Sequence, residues 1–343
     1  MGDVFHTFPA LTDAQKKCPG LVVDWVVEDA FQEIPKWHPL VDKVYPIELR
    51  KWRKHPWQYR QQIKAFFAQI NQTKYDLVLD AQGLLKSAWV VRKIKAPSAG
   101  MDWRSAREPL ASWFYDFKIP VAKNQHAIWR LRELFAKALN YPLPNKQQIQ
   151  YDLNTQNWQP LPNLNKPYAV FLHGTTWETK LWPEPNWVEL GQKLIEQGLQ
   201  VVLPWGNLEE QQRALRIAQN IETGLKNNQA WSNLEGKSTI WVPKNPLNLN
   251  DMASCLRFAQ QVVSVDTGLS HVAAALDVPM VVLYRVTDPE RVGAMGERVM
   301  QLASPCASDY LKNFANKTQA KASLQYLSVD GVFEAMKISR IGA

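Results

Sequence analysis

The stretch Ser264-Val-Asp-Thr-Gly-Leu-Ser-His-Val-Ala-Ala-Ala-Leu276 decides the fold class. QVVSVD, Gln261 to Asp266, is a short β-branched run, the pattern of a strand buried on both faces of a parallel sheet. Gly268 permits a tight turn, and a helix of small residues follows from about Leu269. This order sets backbone N–H groups and a helix N-terminus at the carboxyl edge of the sheet, a place that favours phosphate. Thr267, Ser270 and His271 add side-chain donors there.

The same unit recurs upstream. FLHGTTWETKLWPEPNW, Phe171 to Trp187, runs from a strand ending at His173 through Thr175, Thr176 and Lys180 into a helix after Trp182-Pro183. Lys180 is a point charge suited to a pyrophosphate. Two such loops on one sheet edge describe a nucleotide diphosphate site. DLVLDAQGLLKSAWV, Asp76 to Val90, repeats the pattern, with Gly83 at the turn and Gln82, Lys86 and Ser87 after it. Further candidate strands are Leu21 to Val27, Gln200 to Pro204, Thr239 to Val242 and Pro279 to Tyr284. Helical patterns fall between them, as over Asn186 to Gln197 and Glu209 to Gln219. Strands alternating with helices predict an α/β protein with parallel sheets.

Pro142, Pro144, Pro160, Pro162 and Pro167 punctuate a stretch rich in Asn and Gln, the composition of a linker. The expected division is residues 1–155, a linker over 156–167, and a second domain over 168–343 ending in a helix. Two doubly wound domains are expected to bind ligands at the carboxyl ends of their strands. The chain opens on a helical pattern, with Val4, Phe8 and Leu11 in step after Asp3, and not on a strand. A doubly wound domain usually begins with a central strand, so the expectation is that the first strand is missing here and that the natural product starts upstream.

Charge narrows the ligand. The 40 Lys and Arg exceed the 32 Asp and Glu by 8, and seven of the basic residues, from Arg50 to Lys74, lie in one stretch without an acid. The rest of the chain then carries 33 basic and 32 acidic residues. Trp52, Trp57, Tyr59, Phe66 and Phe67 interleave with the patch. Such a surface attracts nucleic acid, anionic headgroups or phosphorylated sugars, or is an ordinary solvated helix face. No nucleic-acid motif accompanies it. Lys123, His126, Arg130 and Arg132 form a second basic cluster, and Arg104 and Arg107 a third. Three scattered cysteines exclude a disulfide framework and fit a reducing compartment. Neither a signal peptide nor an apolar run of about 20 residues is present. No Asp-x-Asp, His pair or cysteine cluster has metal-ligand spacing.

The chain resembles the heptosyltransferases of lipopolysaccharide inner-core synthesis. The likeness rests on MGDVFHTFPALTDAQ, RKWRK, DAQGLLKSA, GMDW with AREPLASWFY, HAIWRLRELFAKAL, the Thr175-Thr176 loop with Lys180 and Trp182-Pro183, LPWG, SVDTGLSH and TDP. Thr-Gly-Leu-Ser-His sides with the first of the pathway's two transferases, since the second tends to carry Ser-Gly-Leu-Met-His. The resemblance implies a GT-B fold of two Rossmann-like domains and inverting transfer of L-glycero-D-manno-heptose from ADP-heptose to Kdo of Kdo-lipid A. It implies Asp3 as general base. Thr175, Thr176, Lys180, Thr267, Gly268 and His271 would hold the donor phosphates, and Asp266 would contact the heptose. Glu210 would bind the ribose and Leu247 line the adenine pocket. Arg50, Arg53, Lys54, Arg107, Lys123, His126 and Arg130 would receive the acceptor's carboxylates and phosphates. No metal and no other cofactor are expected, since Lys180 and helix dipoles can take the leaving group's charge. The expected place is the cytoplasm, at the inner-membrane surface.

Several positions depart from the family. Trp177 stands where relatives often have an arginine, Leu181 where they often have a histidine, Arg285-Val286 in place of Gly-Pro, and Leu247 in place of a methionine. Two other readings stay open: a different nucleotide-sugar enzyme of the same fold, and an inactive truncated relative that binds anionic glycolipid.

Overall fold

The computed structural model describes residues 1–341 other than Pro144, Gln147, Asn165 and residues 227–238, with the side chain of Ile341 also left aside. Pro144, one of the five prolines of the linker pattern, therefore lies outside the described residues. The chain folds as two compact units, Asp3–Asn154 with Met1, and Thr155–Ala343 with Gly2.

The N-terminal unit begins with α1 (Gly2–Lys17). Asp3 in its first turn and Lys16 and Lys17 in its last suit the helix dipole. Ten of its residues are buried, on every side of the helix, including Phe5, Phe8 and Leu11. A helix buried all round is a core element and not a surface one. β1 (Val23–Glu28) pairs in parallel with β2 (Val41–Ile47), and β3 (Val78–Asp80), β4 (Ser98–Met101) and β5 (Phe117–Ile119) form a second parallel sheet. The two sheets are separate, so β1 and β3 each keep one unpaired edge among the described residues. Between β2 and β3 come α2 (Leu49–Lys54) and α3 (Arg60–Ile70), which carry the basic patch. Trp52 and Phe66 of these helices are core, with Tyr45 and Ile47 of β2, while Trp57 is largely exposed. α4 (Leu85–Lys93) follows β3, and α5 (Ala127–Ala138) follows β5.

The C-terminal unit is a single six-stranded sheet, parallel throughout. Its strands are β6 (Tyr168–Leu172), β7 (Gln200–Val202), β8 (Ile240–Trp241), β9 (Gln261–Val265), β10 (Met280–Tyr284) and β11 (Val299–Ala303). The order across the sheet is β11-β10-β9-β6-β7-β8. The first and fourth strands of the unit are thus neighbours at the centre, and the chain runs outward from them in opposite directions. Ligands of open α/β sheets bind beyond the carboxyl ends of the strands at this reversal. α6 (Glu184–Glu196), α7 (Leu208–Lys226) and α12 (Val329–Ile341) share one core with Phe171, Val201, Val263, Val265 and Leu283 of the strands. Residues of the opposite parity face away from it, as when the Tyr168 hydroxyl donates to the Cys255 carbonyl of α8 (Leu249–Arg257) at 2.8 Å. α9 (Gly268–Ala275) packs beside α8. α10 (Pro289–Val292) and α11 (Lys317–Ala322) are short connectors.

The expected strands form with shifted or trimmed ends, Leu21 to Val27 as Val23–Glu28 and Thr239 to Val242 as Ile240–Trp241. Four strands lacked a sequence signal. β2 contains Pro46, which an edge strand tolerates because no second neighbour needs its missing N–H. β4 reads Ser-Ala-Gly-Met, β5 has three residues, and β11 lies at the sheet edge. None of these shows the β-branched run that marks a doubly buried strand.

Candidate active site

In the C-terminal unit, the expected donor residues lie on the loops after β6, β7, β8 and β9. The loop after β6 ends in a 3₁₀ turn, Glu178–Lys180, which turns the Lys180 side chain toward β9. Its ammonium lies 2.6 Å from Asp266 Oδ2, and both side chains are nearly buried. The Thr287 hydroxyl donates to the same oxygen at 2.6 Å, and the Thr175 hydroxyl donates to the Asp266 carbonyl at 3.0 Å. Asp266 is therefore the hub that joins the loops after β6, β9 and β10. Thr267 precedes α9, Gly268 is its first residue, and His271 is buried in its first turn. Thr176 is exposed on the rim.

Glu210 reaches the same edge from the first turn of α7. Its carboxylate accepts the Gly206 N–H at 2.8 Å, while the Asn207 side chain caps the Glu210 N–H at 2.9 Å. Gly174 makes room for it: a Cβ there would lie 2.6 Å from the Glu210 carboxyl. The second residue after β6 is glycine for this close approach. Leu247 is half-buried just before α8, whose N-cap is Asn248. Beneath the loop, Trp182 and Trp187 meet edge to face at 5.0 Å, and Trp182 Nε1 donates to the Leu327 carbonyl at 2.9 Å. The chemistry-bearing loop thus stands on a rigid apolar base.

In the N-terminal unit, Asp3 and Arg107 form a two-pronged ion pair, at 3.1 Å and 3.2 Å. Burial raises the Asp3 carboxyl, but the Arg107 guanidinium and its hydrogen bonds, with His6 and the chain's N-terminal ammonium, outweigh this and hold it below the usual aspartate value. Arg107 is set by the turn after β3. Asp80 Oδ1 accepts the Gln82 and Gly83 N–H groups at 2.8 Å and 3.1 Å, and Gly83 takes φ +64°. The Gly83 carbonyl accepts the Glu108 N–H at 3.0 Å, and the Glu108 carboxylate accepts the Leu85 N–H of α4 at 2.6 Å. DAQG is thus a brace for the segment carrying Arg107. The N-terminal ammonium is lowered chiefly by burial, and Lys86 and Arg50 also act on it, so these cations stand around the start of α1.

The remaining acceptor candidates divide. Arg50, Arg53, Lys54 and Lys123 are exposed. His126 is buried and caps α5, its Nδ1 accepting the Ile128 N–H at 3.1 Å. Arg130 is half-buried and donates to the Ser105 carbonyl. Both have built-in structural tasks. Three residues near this edge were not among the expected site residues. Thr287 was visible only as part of TDP, Arg285 only as a departure from the family's Gly-Pro, and Lys312 belongs to a segment without a motif. Among the described residues, no group of three or more His, Cys, Asp or Glu is placed to hold a metal ion.

Comparison with known proteins agrees with this layout. The model of glycosyltransferase family 9 (heptosyltransferase) matches residues 63–322. The chain is 48% identical over 312 residues to lipopolysaccharide heptosyltransferase 1 of Pseudomonas aeruginosa, covering 90% of this chain and 82% of that one. It superposes on E. coli heptosyltransferase WaaC with ADP at a TM-score of 0.83 and 41% identity, covering 99% of this chain and 97% of that one. With ADP-2-deoxy-2-fluoro heptose, the same E. coli enzyme matches at 0.77 and 41%, covering 95% and 96%. A parallel sheet with polar loops gathered at its central reversal, the Lys180–Asp266 hub and likeness along nearly the whole chain lead to one assignment: this chain belongs to glycosyltransferase family 9, the heptosyltransferases.

Proposed function

We propose that this protein transfers L-glycero-D-manno-heptose from ADP-heptose to a Kdo residue of Kdo-lipid A, inverting the anomeric centre. The observation that carries the reading is the convergence of Lys180, Thr175 and Thr287 on Asp266 at the carboxyl edge of the C-terminal sheet, in a chain so like an enzyme crystallised with ADP. The C-terminal unit binds the donor and the N-terminal unit the acceptor. The acceptor hydroxyl attacks the anomeric carbon as the bond to the ADP oxygen breaks, and Asp3 takes the hydroxyl proton. Lys180 and the N–H groups at the start of α9 stabilise the charge gathering on ADP. Asp266 holds Lys180 in place and faces the heptose. Glu210 binds the ribose, and Leu247 lines the adenine pocket.

In the ion pair with Arg107, Asp3 is a poor base, since its lone pairs are engaged and its basicity is lowered. An acceptor carboxylate or phosphate that claims Arg107 restores basicity as the substrate arrives. The exposed cations of α2, Arg50, Arg53 and Lys54, draw the anionic glycolipid from the membrane surface. Among the described residues no helix is long and apolar enough to cross a membrane, so the approach is peripheral in this reading. No metal is required. The test is transfer of heptose from ADP-heptose to Kdo-lipid A, followed by mass spectrometry, with UDP-sugars and EDTA as controls. Product from ADP-heptose alone, in EDTA, is expected. Use of UDP-sugars, or loss in EDTA restored by magnesium, overturns the corresponding part.

A further inference from the structure

Beyond the residues discussed so far, the segment after β11 is held against the donor loop. The Thr179 hydroxyl donates to the Leu311 carbonyl at 2.6 Å. Arg285 donates to the Leu181 carbonyl and, at 2.6 Å, to the Ser323 hydroxyl, so its guanidinium ties the end of the donor loop to the region of α11. Trp177 lies two residues before Thr179 on the same loop. The Lys180 ammonium lies 4.7 Å from the centre of its ring and the Lys312 ammonium 5.6 Å from the same centre. One ring thus gathers two cations from segments 132 residues apart, as numbered by Lys180 and Lys312. The indole's negative face supplies the attraction that holds them. Their separation cannot exceed the sum of the two distances. Tyr310, just before this segment's contact, has φ +51°, a left-handed backbone rare outside glycine and frequent at functional loops.

The two ammoniums differ in what they already hold. Lys180 is committed to Asp266, which cancels most of its charge. Lys312 is exposed and forms no ion pair among the described residues. A diphosphate leaving group needs net positive charge where its own charge grows. We propose that Lys312 is a second cation of the donor diphosphate site, brought there by Trp177, and that Leu311 and Lys312, in the segment after β11, are part of the donor site. This rests on the C-terminal unit being the ADP-binding one.

The experiment is calorimetric titration of the full chain with ADP and with AMP. Lys312→Gln is expected to weaken ADP roughly tenfold, the worth of one charge-assisted contact, and AMP less, with an unchanged melting temperature. Lys312→Arg is expected to stay within about twofold of the parent, and Trp177→Ala to weaken ADP at least as much as Lys312→Gln. Lys317→Gln removes the same charge five residues on and is expected to change nothing. Equal losses in Lys312→Gln and Lys317→Gln, or no loss in Lys312→Gln, overturn the proposal. Failure of the parent protein to bind ADP overturns the donor reading itself, which separates the two.

Discussion

The Lys180 ammonium and the Thr287 hydroxyl meet at one oxygen, Asp266 Oδ2, each at 2.6 Å. A carboxylate so engaged fixes a cation at the sheet edge before any donor arrives. Lys180→Gln is expected to lower kcat/KM by about two to three orders of magnitude, the usual loss of one preorganised stabiliser of a leaving group. Asp266→Asn keeps the shape but loosens Lys180, so ADP is expected to bind as well or better while turnover falls. Calorimetry beside steady-state kinetics separates the two effects.

Asp3→Asn keeps the outline of the side chain and removes the proposed base. Turnover is expected to fall by roughly 10²–10⁴-fold, with ADP affinity unchanged. Turnover equal to the parent's would remove Asp3 from the mechanism.

Arg107 depresses the Asp3 carboxyl, so its removal allows burial to raise it. In Arg107→Ala the acid limb of kcat/KM, taken with an acceptor analogue, is expected to move to higher pH. The shift is upward because a protonated Asp3 cannot accept the hydroxyl proton. An unmoved limb would separate Arg107 from the base.

Gly174→Ala places a methyl group 2.6 Å from the Glu210 carboxyl, which must move and release the Gly206 N–H. Donor KM is expected to rise by up to roughly 10–100-fold, the cost of a displaced charge-assisted hydrogen bond being about 1.5–3 kcal/mol. Gly198→Ala serves as contrast: nothing crowds that site, and only its φ of +86° makes it unfavourable, so stability falls and KM does not.

Two histidines set a pH dependence of stability. His38 is fully buried, its Nδ1 accepting the Leu40 N–H at 3.2 Å and its Nε2 3.1 Å from the Thr12 hydroxyl, and burial pushes it down to about 4. His173, after β6, is also lowered to about 4, by burial and then by Arg213. Unfolded histidine titrates near 6.5, so between about 6.5 and 4 the unfolded chain binds protons that the folded chain refuses. Stability is full above that window and falls as pH drops through it, by up to about 3 kcal/mol per histidine. Thermal melts at stepped pH are expected to show the decline, and His38→Gln to flatten it.

Legibility in the sequence followed the strength of local signals. QVVSVD and the apolar strand ending at His173 announced β9 and β6 because a strand buried on both faces must be apolar throughout, and their loops carried Asp266 and Lys180 within the same motifs. The pairing of Lys180 with Asp266 was not legible, because it depends on β6 and β9 being neighbours, which the order of strands along the chain conceals. The basic clusters were legible only as charge, for a related reason. Charge counts do not reveal which cations are used up internally: Arg132 pairs with Asp13 at 2.9 Å, and His126 is spent on a helix cap. Lys312 had no local signal, since a ring more than a hundred residues away gives it its place.

The order β11-β10-β9-β6-β7-β8 has a consequence for how such a site can diversify. Of the groups assigned to the phosphates, Thr175, Lys180, Thr267 and His271 sit after the two central strands and Lys312 after β11, whereas Glu210 follows β7 and Leu247 follows β8, on the opposite flank of the sheet from β11. Donor chemistry and base preference thus occupy separate, exchangeable stretches of chain. Grafting the loops after β7 and β8 from a transferase with another nucleotide would retune the base while leaving the leaving-group machinery untouched.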